Sequence, residues 1–308
     1  MSGRAVPLGD PRPWASGEVT DRAWCVLAGN PGPMTLDGTN TWVLREPGSA
    51  LAVVVDPGPD DPAHLAAVVD AVGDARVARI LLTHGHPDHA DGARSFAARL
   101  GAPVAALDPA HRLGDEGLVG GETVVVGGLE LAVVATPGHT ADSLSFHLPA
   151  DGALLTGDTV LGRGSTVVAH PDGRLGDYLD SLVRLRSLAE STAATSVLPG
   201  HGPALVDPVD AVSAYLAHRQ GRLDQVRAAV EELGGLASLR PAASGERPTG
   251  LEALEGVDWW HQQDRDEPDL ADLVVASVYA DVPRAVWPAA RLSVLAQLAY
   301  LRDAPPRP

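Results

Sequence analysis

Between positions 83 and 89 the chain reads Thr-His-Gly-His-Pro-Asp-His, which gathers His84, His86, Asp88 and His89 into one short run. Imidazole and carboxylate are the nitrogen and oxygen donors that suit zinc, and an open zinc site supplies hydroxide at neutral pH. The run follows Val77–Leu82, which reads as a buried strand. Alternate side chains of an extended segment share a face, so His84 and His86 can converge on one ion. Beyond a turn at Pro87, Asp88 and His89 point toward a second. A surface loop that happens to be rich in histidine is the plain alternative, and three His and one Asp in this order argue against it.

Three later segments repeat one design of strand, tight turn and donor. His139 lies in Ala-Thr-Pro-Gly-His-Thr (135–140), Asp158 in Leu-Leu-Thr-Gly-Asp-Thr (154–159) and His201 in Val-Leu-Pro-Gly-His-Gly (197–202). Turns rich in Gly and Pro end strands sharply and let backbone approach a ligand closely. Each donor therefore projects from the end of a rigid strand, as a preorganised site requires. A lone Asp or His in such a place is usually a helix cap or a satisfied core group; several such donor sets in one chain are not explained that way.

The pattern resembles the metallo-β-lactamase superfamily, whose signature is His-x-His-x-Asp-His followed by separate His, Asp and His motifs. The match covers roughly residues 20–204. The resemblance implies an α/β fold, a four-layer αβ/βα sandwich with a two-metal site at one edge. It implies that His84, His86 and His139 bind one metal and that Asp88, His89 and His201 bind the other, with Asp158 bridging them. Two zinc ions are expected, and similar sites also accept manganese or iron. Asp56, in Val-Val-Val-Asp-Pro-Gly (53–58), matches an acidic residue of the family near the site. It is read as orienting a ligand histidine, the alternative being a plain turn Asp before Pro.

A narrower resemblance comes from Asn30–Trp42, Asn-Pro-Gly-Pro-Met-Thr-Leu-Asp-Gly-Thr-Asn-Thr-Trp. It is similar to the opening of the β-lactamase-like protein 2 family, which couples the hydrolase domain to a C-terminal winged-helix-like domain. That group includes single-strand-specific endoribonucleases and resembles thioesterases that release acyl chains from carrier proteins. The stretch 161–167, Leu-Gly-Arg-Gly-Ser-Thr-Val, also fits the group. It suggests a loop over the metals in which Arg163, Ser165 and Thr166 contact substrate, against the alternative of an ordinary connection.

The elements that must hold these donors alternate in type up to about residue 204. Asp61 and Pro62 open a helix as N-cap and first residue. Ala93–Leu100 and Asp177–Leu185 read as two more, and the alternation argues for the α/β class. A helix following the ligand loop also turns its positive end toward Asp88. From Asp207 onward helical periods dominate, over Val209–Leu233, Ala271–Tyr279 and Ala285–Tyr300. Arg240–Glu267, rich in Pro, Gly and acids, is expected to be an irregular connection. Residues 1–19 are expected to be a loose arm, 20–204 the hydrolase domain, and 205–308 a small, mainly helical winged-helix-like domain.

Composition narrows the functions. No apolar run is long enough to span a bilayer and no charged-then-apolar leader opens the chain, so a cytoplasmic location without a membrane partner is expected. The single Cys25 excludes an internal disulfide framework and a cysteine zinc cluster. The 23 basic residues are all arginine, and the net charge is −17. Such a chain repels polyanions at long range. Residues 205–308 carry 16 acids against 10 bases, whereas a winged helix that reads nucleic acid is normally basic. A substrate-cleft wall or a homodimer contact is the expected role for that region.

The expected function is that of a dinuclear metal-dependent hydrolase using a metal-bridging hydroxide, with Asp88 both a ligand and a proton shuttle to the leaving group. A thioester or other carboxylic ester, small or carrier-bound, is the first substrate class. Single-stranded RNA is the runner-up, revived if Arg163, Arg174, Arg184 and Arg219 cluster at the metals. β-Lactam and glyoxalase II-type hydrolysis follow. A non-catalytic zinc-containing binding module is the alternative of another kind.

Overall fold

The structure, a computed structural model, describes residues 5–114, 117–235 and 269–303. Two six-stranded mixed sheets face each other. The first runs in chain order: β1 (Gly17–Glu18), β2 (Ala23–Leu27), β3 (Asn40–Leu44), β4 (Leu51–Val55), β5 (Arg76–Leu81) and β6 (Val104–Ala105). The second contains β7 (Thr123–Val126), β8 (Leu129–Ala135), β9 (Leu144–Leu148), β10 (Ala153–Gly157), β11 (Ser196–Pro199) and β12 (Leu205–Val206), also in sequential order.

Strand periodicity builds the layers. In β4, Val53 and Val55 point into the core between the sheets, where they meet Leu131, Val133, Phe146 and Leu155. Their neighbours Ala52 and Val54 point the other way, as the period of two demands. There they pack beneath α1 (Pro62–Val72) and α3 (Ala93–Leu100) through Val68, Val72, Phe96 and Ala97. The outer face of the second sheet is covered by α4 (Leu175–Thr192) and α5 (Pro208–Glu232) through Tyr178, Leu182, Leu185, Val212 and Tyr215. The result is the αβ/βα order of four layers. The far half of α5 packs with α6 (Leu270–Val278) and α7 (Trp287–Asp303) in a separate apolar cluster around Val226, Val230, Val274 and Val294.

Asp61 caps α1 by accepting from the Ala63 N–H at 2.8 Å, with Pro62 in the first turn. One expectation fails. Residues 5–19 are not a loose arm: Val6 N–H donates to Ala204 O at 2.8 Å, β1 pairs with β2, and Trp14 is buried with its indole N–H on Asn40 Oδ1 at 2.8 Å. The prolines at 7, 11 and 13 make the segment irregular without freeing it, because Trp14 finds a socket in the inter-sheet core. The last helical run is also shorter at its start: Arg284–Val286 forms a 3₁₀ turn before α7. The expected connection Arg240–Glu267 lies outside the described residues. Among the described residues no helix is long and apolar enough to cross a membrane.

Candidate metal centre

The donors meet because neighbouring strands end together. β4 and β5 run parallel, with Val55 beside Leu81, so Asp56 emerges next to the segment entering Thr83 and His84. β10 and β11 are parallel as well, with Gly157 beside Pro199, which sets Asp158 next to the Gly200–His201 turn. The two edges are joined where Leu144 N–H donates to Thr83 O at 2.7 Å. Pro87–Ala90 forms a short helix, α2, with Pro in its first turn and His86 at its N-cap. That turn redirects the chain so that Asp88 and His89 leave the line of His84 and His86.

The seven sequence-designated donors come together in one buried cluster. His84 Nε2 and His139 Nε2 lie 2.9 and 3.0 Å from His86 Nδ1. His201 Nε2 lies 3.1 Å from Asp88 Oδ2 and 3.2 Å from His89 Nε2. Asp158 stands between the two trios. Its Oδ1 is 3.4 Å from His89 Nε2, and its Oδ2 is 3.3 Å from His201 Nε2 and 3.7 Å from His139 Nε2. His84, His89 and Asp158 form a further set able to surround an ion.

Outer partners settle which ring nitrogen faces inward. His139 Nδ1 donates to Val167 O at 2.7 Å and His201 Nδ1 to Gly38 O at 3.2 Å. His89 Nδ1 donates to Asp56 Oδ2 at 2.9 Å. Thr83 gives its hydroxyl proton to Asp56 Oδ2 at 2.7 Å, so the hydroxyl oxygen receives His84 Nδ1–H at 3.0 Å. These bonds direct the Nε2 lone pairs of four histidines into the cluster, an arrangement typical of metal-ligating imidazoles. Asp56 thus touches a histidine of each trio, directly or through one hydroxyl, and its Oδ1 is held by Thr83 N–H at 2.7 Å.

Charge divides the cluster. Burial, reinforced by neighbouring His89 and His86, holds His84 far below the usual imidazole range. Burial with His139 takes His86 down to about 3, and burial lowers His139 too. This trio is neutral. Burial alone would also lower His89 and His201, but carboxylates reverse it. Asp88, Asp158 and Asp56 lift His89 well above its ordinary value, and Asp158 with Asp88 raises His201 to about 9. Burial works against ionising Asp88, yet His89 and His201 bring it down to about 2; Asp158 is likewise held well below its ordinary value against its burial. Protons on His89 and His201 therefore occupy a place that asks for positive charge. Asp158 Oδ1 is buried without a hydrogen-bond partner. Facing lone pairs, an excess of carboxylate and an orphaned oxygen fit a divalent metal ion, whose tetrahedral bonds of about 2.0–2.1 Å set neighbouring nitrogens about 3.3 Å apart.

The loop after Asp158 has contacts of its own. Thr166 is buried and donates its hydroxyl to Asp158 O at 2.6 Å, so it fixes the acid. Arg163 pairs with Asp37, and Ser165 is open to solvent. Arg184 donates to Ala135 O, while Arg219 is buried over the Tyr178 ring and donates to Thr166 O. Arg174, 3.6 Å from Asp177, and Arg184 both keep exposed side chains. Sequence reasoning gave no role to Thr83, although it stands in the donor run, nor to Gly200. A Cβ at Gly200 would strike the Asp158 carboxylate and the His89 ring. The carbonyls of Gly38 and Val167 have no side-chain signal at all.

Comparison with known proteins identifies the family. The family model of the metallo-β-lactamase superfamily matches residues 34–201, and that of the β-lactamase associated winged helix domain matches residues 271–303. A β-lactamase-like protein 2 homolog of Caenorhabditis elegans is 34% identical over 70% of this chain and 73% of its own length. An atrochrysone carboxyl ACP thioesterase of Aspergillus fumigatus is 34% identical over 70% of this chain and 67% of its own. A β-lactamase domain protein from Burkholderia ambifaria shares the fold, with a TM-score of 0.68 at 24% identity over 96% of this chain and 92% of that one. The chain belongs to the metallo-β-lactamase superfamily. It is a hydrolase of that fold, followed by the associated winged helix domain, and its relatives include β-lactamase-like protein 2 homologues.

Proposed function

We propose that this hydrolase cleaves an acyl thioester, small or carrier-bound, with two divalent ions, zinc by preference and manganese or iron as substitutes. His84, His86 and His139 would hold one ion, Asp88, His89 and His201 the other, and Asp158 would be shared. When bound, the ions supply Lewis acidity and water activated at neutral pH. The observation that carries this reading is the pair of donor trios meeting at one buried carboxylate. The thioester class is supported by the name of the Aspergillus fumigatus relative. Residues 20–204 would form the catalytic domain and 205–308 a platform for the substrate.

The chain's own residues have separable tasks. Asp88 is 24% exposed, whereas Asp158 is 10% and His89, His139 and His201 are at most 3%. Asp88 is therefore the donor that meets incoming substrate; ionised, it can take a proton from the attacking water and pass it to the departing sulfur. Of the four arginines that a nucleic-acid path would need, Arg163 is paired with Asp37 and Arg219 is buried, so the four do not form one free basic path to support the RNA reading.

The test is kcat/KM of the metal-loaded full chain on acetyl and longer acyl thioesters, with oxygen esters, a β-lactam and single-stranded RNA alongside. Thioesters are expected to lead. RNA or lactam turnover exceeding thioester turnover would overturn the assignment.

A further inference from the structure

Behind Asp56 lies a second layer of buried polar contacts that the proposed chemistry does not use. Asp56 has φ 51°, the left-handed region that a non-glycine residue enters at a cost in backbone energy. Its carbonyl accepts the Thr41 hydroxyl at 2.6 Å. A carbonyl can only accept, so the one proton of Thr41 is spent there. His64 Nε2, 2.8 Å from the same hydroxyl oxygen, must then be the donor. Thr41 and His64 are both buried. Thr41 sits on β3 beside the end of β4, and His64 sits on α1, so the pair fastens the Asp56 turn to two separate elements. Gly58, in that same turn, leaves the space: a Cβ there would come to 3.1 Å from His64 Nε2 and 3.4 Å from Thr41 Oγ1. On its other side the turn is held by Gly58 N–H to His89 O at 3.1 Å.

We infer that Thr41 and His64 are positioning residues: they lock the turn of Asp56 so that one carboxylate orients His89 in one donor trio and, through Thr83, His84 in the other. Apolar side chains of similar shape would fill the same space but leave the Asp56 carbonyl without its hydroxyl donor, and a single replacement also strands the remaining partner, so some stability is lost as well. The inference rests on the proposed metal centre, and it is tested on metal affinity rather than on turnover.

The experiment is titration of the full-length apoprotein with zinc against a competing chelator, with cobalt spectra recorded in parallel. Thr41→Val is expected to weaken zinc binding by about 10-fold or more, the range for lost outer partners of ligands, and to alter the cobalt ligand-field bands. Thr41→Ser, which keeps the hydroxyl, is expected to restore both. Should Thr41→Val fail to fold, His64→Leu and His64→Gln make the same comparison, the amide of Gln replacing the lost donor. Unchanged zinc affinity and cobalt bands in a folded Thr41→Val or His64→Leu protein would overturn the positioning role, whatever happens to thermal stability. A wild-type chain that binds neither ion would overturn the metal reading beneath it.

Discussion

At the residue scale, the two trios differ in what each must give up to take an ion. His84, His86 and His139 are neutral through burial, so they offer lone pairs at once. His89 and His201 carry protons favoured by their carboxylate neighbours, and an ion must displace them. Metal uptake at pH 7 should therefore release protons, and apparent affinity should climb as pH rises toward about 9, the value for His201. Calorimetry in buffers of different ionisation enthalpy measures this, and uptake without proton release would contradict it. Asp88→Ala should lower kcat by about 100-fold or more, the scale of a lost acid–base group, with a smaller change in KM. Unchanged turnover would remove its proton role. Gly200→Ala should disrupt metal loading, because the added methyl meets both Asp158 and His89; full occupancy in that variant would show that the turn can yield.

At the scale of elements, the site depends on parallel neighbours ending at one edge, and the sequence displays half of that device. The strand-then-turn pattern around His139, Asp158 and His201 is visible because Gly and Pro punctuate apolar runs. The pairing that brings β10 beside β11, separated by α4, is long-range and leaves no local trace. The arm shows the same limit. Its prolines signal irregularity, but the burial of Trp14 depends on Asn40, which accepts the indole N–H and donates to Pro199 O at 3.0 Å and Gly202 O at 2.8 Å. Asn40 thus joins the arm, β3 and the His201 turn. Asn40→Ala should cost about 2–4 kcal/mol, because it strands several buried polar groups. Denaturant unfolding measures the loss, and a change within about 0.5 kcal/mol would mean that the turn is held elsewhere.

At the scale of the molecule, a net charge of −17 surrounds a centre that itself needs cations. The field should draw divalent ions in and keep polyanions away. Single-stranded RNA is accordingly expected to show no measurable binding at about 0.15 M salt, and salt-sensitive retention on the protein would expose a basic path. The C-terminal helices are joined to the sandwich through α5, where Arg222 lies over the Tyr279 ring and donates to Val278 O at 2.7 Å. In the proposed mechanism one cluster holds two ions and Asp158 joins them in catalysis. The most direct measurement is metal content per chain together with thioester turnover, in the wild type and in Asp158→Ala. Two ions per wild-type chain, with loss of both metal and turnover in the variant, is the predicted result. Full occupancy and turnover in Asp158→Ala would contradict it.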